Sequence, residues 1–77
     1  MLSTVEDKII NYLMLNMEDL QGYVNKYSDS APPSILYDIV IHRIEKDTDC
    51  AYSEIIEYFD EPVFNKMFML GGSNVKN

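Results

Sequence analysis

The chain has 77 residues and a net charge of −7, from six basic and thirteen acidic side chains; 47% of it is hydrophobic, 25% is charged, and it holds one Cys and one His. That balance belongs to a single globular domain and excludes a disordered segment or an intrachain disulfide framework. It also excludes a locally assembled His/Cys metal site, and no stretch approaches the ~18 consecutive apolar residues of a membrane span.

The opening MLSTVEDKII has neither a basic n-region nor a small-residue cleavage site, so no signal peptide is expected. Ser3-Thr4-Val5-Glu6 fits a capping box with Ser3 as cap, and Glu6 and Asp7 suit the positive end of a helix dipole. Val5, Ile9, Tyr12/Leu13, Met17 (or Asn16), Leu20, Val24 and Tyr27 recur at three- and four-residue steps. The spacing predicts one helix over 3–27, interrupted only weakly by Gly22 and closed by Ser28-Asp29-Ser30.

Ala31-Pro32-Pro33 is a stiff connection, and a proline suits the first turn of a second helix, capped by Ser30 or Ser34. Residues 35–44 carry both a strand-like alternation, Ile35/Tyr37/Ile39/Ile41, and helical spacings, Leu36/Val40/Ile44 and Tyr37/Ile41. The proline lead and the lack of any partner strand favour helix. Lys46-Asp47-Thr48-Asp49 reads as a polar turn, with Thr48 or Asp49 capping a short third helix over 50–59 that turns Tyr52, Ile55/Ile56 and Phe59 inward. Glu61-Pro62 breaks that pattern and opens a fourth helix with Asp60 or Glu61 at its cap and Val63, Phe64, Met67, Phe68 and Leu70 as its apolar set. Gly71-Gly72 is a stop signal, and residues 73–77 have nothing to bury and read as a flexible tail. The expected architecture is all-α: a single domain over 1–72, a long first helix packed on a compact three-helix unit.

That unit, Ile35 to Leu70, resembles the helix-turn-helix layout. The chemistry departs from it. A recognition helix presents Arg, Lys, Asn or Gln to bases and phosphates, whereas the last helix offers Asn65 and Lys66 among Val63, Phe64, Met67, Phe68, Met69 and Leu70. The bases Lys8, Lys26, Arg43, Lys46, Lys66 and Lys76 are scattered, none adjacent to another. Direct nucleic-acid binding needs clustered cations, so neither nucleic acid nor an anionic membrane is an expected partner.

Catalytic groups are sparse. Cys50 and His42 stand eight apart with no nucleophile signature, and the Gly pair follows a helix where a phosphate loop would precede one. Cys50 reads as a small buried hydrophobe and His42 as a solvated or half-buried helix residue. No enzyme activity, cofactor or small-molecule substrate is expected. Asp47, Asp49, Glu54, Glu57, Asp60 and Glu61 fall within fifteen residues. Of these, Glu54, Glu57, Asp60 and Glu61 form an acidic surface, either an ordinary solvated face or a mimic of DNA phosphates.

The strongest signal is an excess of apolar residues. Tyr12, Leu13, Met14 and Leu15 are consecutive, and at ~100° per residue they span ~300° of a helix. If Leu13 faces the core, Ile10 and Met14 form a flanking stripe and Leu15 stands nearly opposite. A helix apolar most of the way round is buried on more than one side. Ile10, Met14, Leu15, Met17, Tyr37 and Ile41 are therefore candidate protein-interface residues. Met14, Met17, Met67 and Met69 suit adaptable contacts, and the six tyrosines are weakly in accord. The reading is a cytoplasmic, acidic, non-enzymatic protein-binding module, a regulator or inhibitor of the kind phages encode. Its partner would be its own copy or another protein. The alternatives are a helix-turn-helix-like transcriptional regulator and an acidic DNA mimic.

Overall fold

The computed structural model describes residues 4–70; Ser3, Gly71-Gly72 and the expected tail 73–77 lie outside the described residues. Four helices follow in order: α1 Val5–Tyr27, α2 Pro33–Thr48, α3 Tyr52–Tyr58 and α4 Glu61–Phe64, the last running into a π-helical turn at Asn65–Leu70. No strand occurs among the described residues, which decides the ambiguity over 35–44 for helix.

The N-cap of α1 is Thr4, one residue later than the capping-box reading: its Oγ1 accepts from the Asp7 amide at 3.1 Å. Ile9, Leu13, Leu20 and Val24 are buried along the predicted stripe, with Val5, Tyr12, Met17 and Tyr23 packed beside them. Neither predicted serine caps α2. Pro32 holds the cap position in extended backbone, Pro33 opens the first turn, and Ser30 instead donates its hydroxyl to the Tyr27 carbonyl.

The expected polar turn comes too early. α2 continues through Lys46-Asp47-Thr48 and ends at Asp49, which takes a left-handed conformation (φ 67°) and donates its amide to the Glu45 carbonyl. The extension is held by Asp47, which accepts from the Tyr12 hydroxyl of α1 at 2.6 Å. Cys50 is buried as expected, and α3 starts at Tyr52, two residues later than the sequence suggests. The cap of α3 is thus Ala51, in place of Thr48 or Asp49, and its amide donates to the Glu54 carboxylate at 3.1 Å. Asp60 caps α4 through the Val63 amide at 3.0 Å, and Pro62 occupies its first turn.

The core lies where α1 crosses α2 and α3. Its aromatic part joins Phe59, which ends α3, to Phe64 and Phe68, with ring centroids 5.4–6.3 Å apart. Tyr37 of α2 adds a fourth ring, 6.0 Å from Phe59 and 5.6 Å from Phe64. Such spacings suit edge-to-face and tilted packing. The Gln21 side-chain amide of α1 donates to the Phe68 carbonyl at 2.9 Å, anchoring the π-helical turn to the long helix.

Phe64→Ala is expected to lower stability by about 3–5 kcal/mol in urea titration, because it opens a cavity among three rings. Gly22→Ala should raise it by about 0.5–1 kcal/mol, since Gly22 is exposed in mid-helix and an added Cβ meets nothing within 4 Å.

Candidate protein-interaction surface

Packing of α1 uses the Ile9–Leu13–Leu20–Val24 face and leaves another apolar face outside it. Ile10 and Met14 lie one ~100° step round from Ile9 and Leu13, and Leu15 one step further. Their exposures rise with that rotation: Ile10 45%, Met14 71% and Leu15 84%.

This face borders a concavity. The end of α3 and the start of α4 lie alongside α1, forming a groove of about 210 Å³ between them. Buried Ile9, Leu13 and Phe59 form its floor. Ile10 and Met14 rise on one side, Tyr58 and Val63 on the other. Met17 and Met67, both half-buried, line this groove and also a shallower depression that continues along α1 to Leu15, Glu18 and Gln21. Two helix-face positions fifty residues apart in the chain thus meet in one methionine-rich strip. The charged groups lining the two concavities are Glu6 and Glu18.

The structure gathers Ile10, Met14, Leu15 and Met17 on this surface. It separates the other two interface candidates from it. Ile41 has no exposed surface and belongs to the core. Tyr37 is half-buried, its ring in the aromatic cluster and its hydroxyl donating to the Phe59 carbonyl at 2.8 Å. Leu36, Val40, Ile41 and Ile44 of α2 are buried, in a helix that contacts both α1 and α3, while Ile35 stays exposed.

Of the acidic set, Glu54, Glu57 and Asp60 are exposed and Glu61 is half-buried. Glu54 and Asp60 have structural duties, accepting from the Ala51 and Val63 amides. Tyr58, Val63 and Glu6 were not singled out as interface residues by the sequence. Val63, one of the apolar set of the fourth helix, is exposed on the groove wall. The available signal was Tyr58, whose position next to inward Phe59 turns it off the core face.

Among the described residues no group of three or more His, Cys, Asp or Glu is placed to hold a metal ion, and no helix is long and apolar enough to cross a membrane. No family model, curated protein or solved structure matches the chain.

Three tyrosine hydroxyls fasten the helices around the site. Tyr12 donates to Asp47 at 2.6 Å, Tyr52 to Asp38 at 2.7 Å, and Tyr37 to the Phe59 carbonyl. Each bond needs the neutral phenol. Burial, reinforced by nearby Tyr52, Asp60, Glu61 and Asp38, pushes the Tyr37 hydroxyl up to about 12. Burial and then the bond to Asp47 raise Tyr12, while Tyr52 is raised chiefly by its bond to Asp38. A phenol whose folded pKa exceeds the unfolded value stabilises the fold fully below that unfolded value, about 10, and loses the contribution as pH rises further. The urea midpoint should therefore hold steady from about pH 8 to 9.5 and fall between about 10 and 12. Tyr37→Phe should cost about 1 kcal/mol at neutral pH, leaving the Phe59 carbonyl without this partner, and should make the alkaline fall shallower. An unchanged alkaline slope in the variant would contradict this assignment.

Proposed function

We propose that this chain is a small non-enzymatic protein-binding module that acts as a regulator or inhibitor through its helix faces, with the α1–α3–α4 groove as its contact surface. The observation that carries this reading is the exposed apolar strip of Ile10, Met14 and Leu15 beside a preformed concavity. Isolated exposed apolar residues are ordinary, but a contiguous apolar patch with a shaped groove is a recognition feature. Methionines at its centre suit a surface that adapts to its partner. The groove has no catalytic set: Cys50 is in the core and His42 is bonded to its own helix through the Asp38 carbonyl. A reducing, cytoplasmic setting suits the single free thiol.

The two alternatives have less support. The last helix turns Phe64 and Phe68 into the core and presents one cation, Lys66, where a DNA reader needs several. For a phosphate mimic the four carboxylates are a small set, and two of them, Glu54 and Asp60, already serve as helix-cap acceptors.

The test uses Met14→Glu and Leu15→Glu. Both variants should keep the far-ultraviolet circular dichroism and thermal midpoint of the parent chain, because these side chains face outward. Photo-reactive methionine incorporated into the chain should crosslink to a partner protein through Met17, which both variants retain, and that crosslink should be lost from both. Unfolding of either variant would make these residues plain core, and identical capture by parent and variants would move the contact elsewhere.

A further inference from the structure

The groove's shape and charge narrow the partner further; this step rests on the binding reading above. Along α1, Glu6 lines one end of the continuous apolar strip and Glu18 the other. They are twelve positions apart, which is ~18 Å of helix. Between them the lining is apolar, built on Ile10, Met14 and Met17 from α1 and Tyr58, Val63 and Met67 opposite. Lys66 adjoins Met67 in the sequence, but among the described residues no Lys or Arg lines either concavity. A strip of three helical turns, concave, apolar and acidic at both ends, is the complement of an amphipathic helix with basic residues flanking its apolar face.

We propose that the groove takes an amphipathic helical segment of another protein, about three turns long, with apolar residues at i, i+3/i+4 and i+7 spacing and Lys or Arg at both ends. The basic ends pair with Glu6 and Glu18 while the apolar face covers Met14, Met17 and Met67. A second copy of this chain is a poor occupant. Two-fold antiparallel pairing of the α1 faces sets Glu6 of each copy against Glu18 of the other, and brings together two chains of net charge −7.

The experiment uses the full chain and three fluorescent peptides of equal length. One is a Leu/Lys peptide with Leu at amphipathic helical spacing and Lys flanking. The second has the same composition in scrambled order. The third keeps the Leu positions and replaces every Lys by Glu. The Leu/Lys peptide should bind at least about ten-fold more tightly than either control. Its affinity should drop by about ten-fold or more with Met14→Glu, and also with Glu6→Gln/Glu18→Gln at low salt. Equal binding by the scrambled peptide would overturn the proposal, because the contact would then be charge alone. Equal binding by the Leu/Glu peptide would overturn the basic-end requirement and leave the binding function standing. A concentration-dependent dimer that Met14→Glu dissolves, with no peptide bound, would replace the proposed occupant by a second copy, again without harm to the binding function. A monomer that binds no peptide, or binds all of them unchanged by Met14→Glu, would overturn this proposal and remove the groove from the proposed function.

Discussion

The four-ring cluster of Tyr37, Phe59, Phe64 and Phe68 is the contact on which the arrangement of this chain depends. It is the place where α2, the end of α3, α4 and the π-helical turn are joined, with ring centroids 5.4–6.3 Å apart. A domain of this size buries a small core, so a few large side chains contribute much of its stability. The Tyr37 hydroxyl adds direction to that burial: it donates to the Phe59 carbonyl and fixes the chain where α3 ends. Because Phe59 is also part of the groove floor, the same contact sets the distance between Tyr58 and Val63 on one side and α1 on the other. Stability and the candidate surface are therefore coupled through one residue.

The second constraint is geometric. α1 is 23 residues long, and the rest of the domain covers only part of its circumference. One face packs inward. Ile10, Met14 and Leu15 remain outside, apolar in a chain that is otherwise strongly acidic on its surface. An uncovered apolar face lowers solubility, and a net charge far from zero, −7 here, acts against that tendency.

Much of the architecture was legible because helical periodicity survives in long elements. The stripe from Val5 to Val24 is the face that packs, and the surplus at Met14 and Leu15 is the face that does not. The helical nature of α2 was legible from its proline lead. Less legible were the ends. The caps fall at Thr4, Pro32 and Ala51, set by local choices between neighbouring residues that periodicity does not resolve. Ile41 looked like surface because one helix seemed to have too many apolar residues for one neighbour, yet α2 touches both α1 and α3. The far wall of the groove was illegible for a related reason: Tyr58 and Val63 flank the short turn between two short helices, where no periodicity tells outward from inward. The π-helical turn carries no sequence signature that distinguishes it from an α-helix continued from α4.

Folding leaves one apolar face of α1 open and shapes it, with Met67 from the far end of the chain, into a single groove. Methyl-labelled methionine in solution tests it directly, through cross-relaxation between side chains and line broadening by a soluble paramagnetic probe. The account predicts cross-peaks linking Met17 of α1 to Met67, and strong broadening at Met14, which is 71% exposed, with less at half-buried Met17. Absence of any contact between Met67 and the α1 methionines, or protection of Met14 from the probe in a monomeric chain, would contradict it.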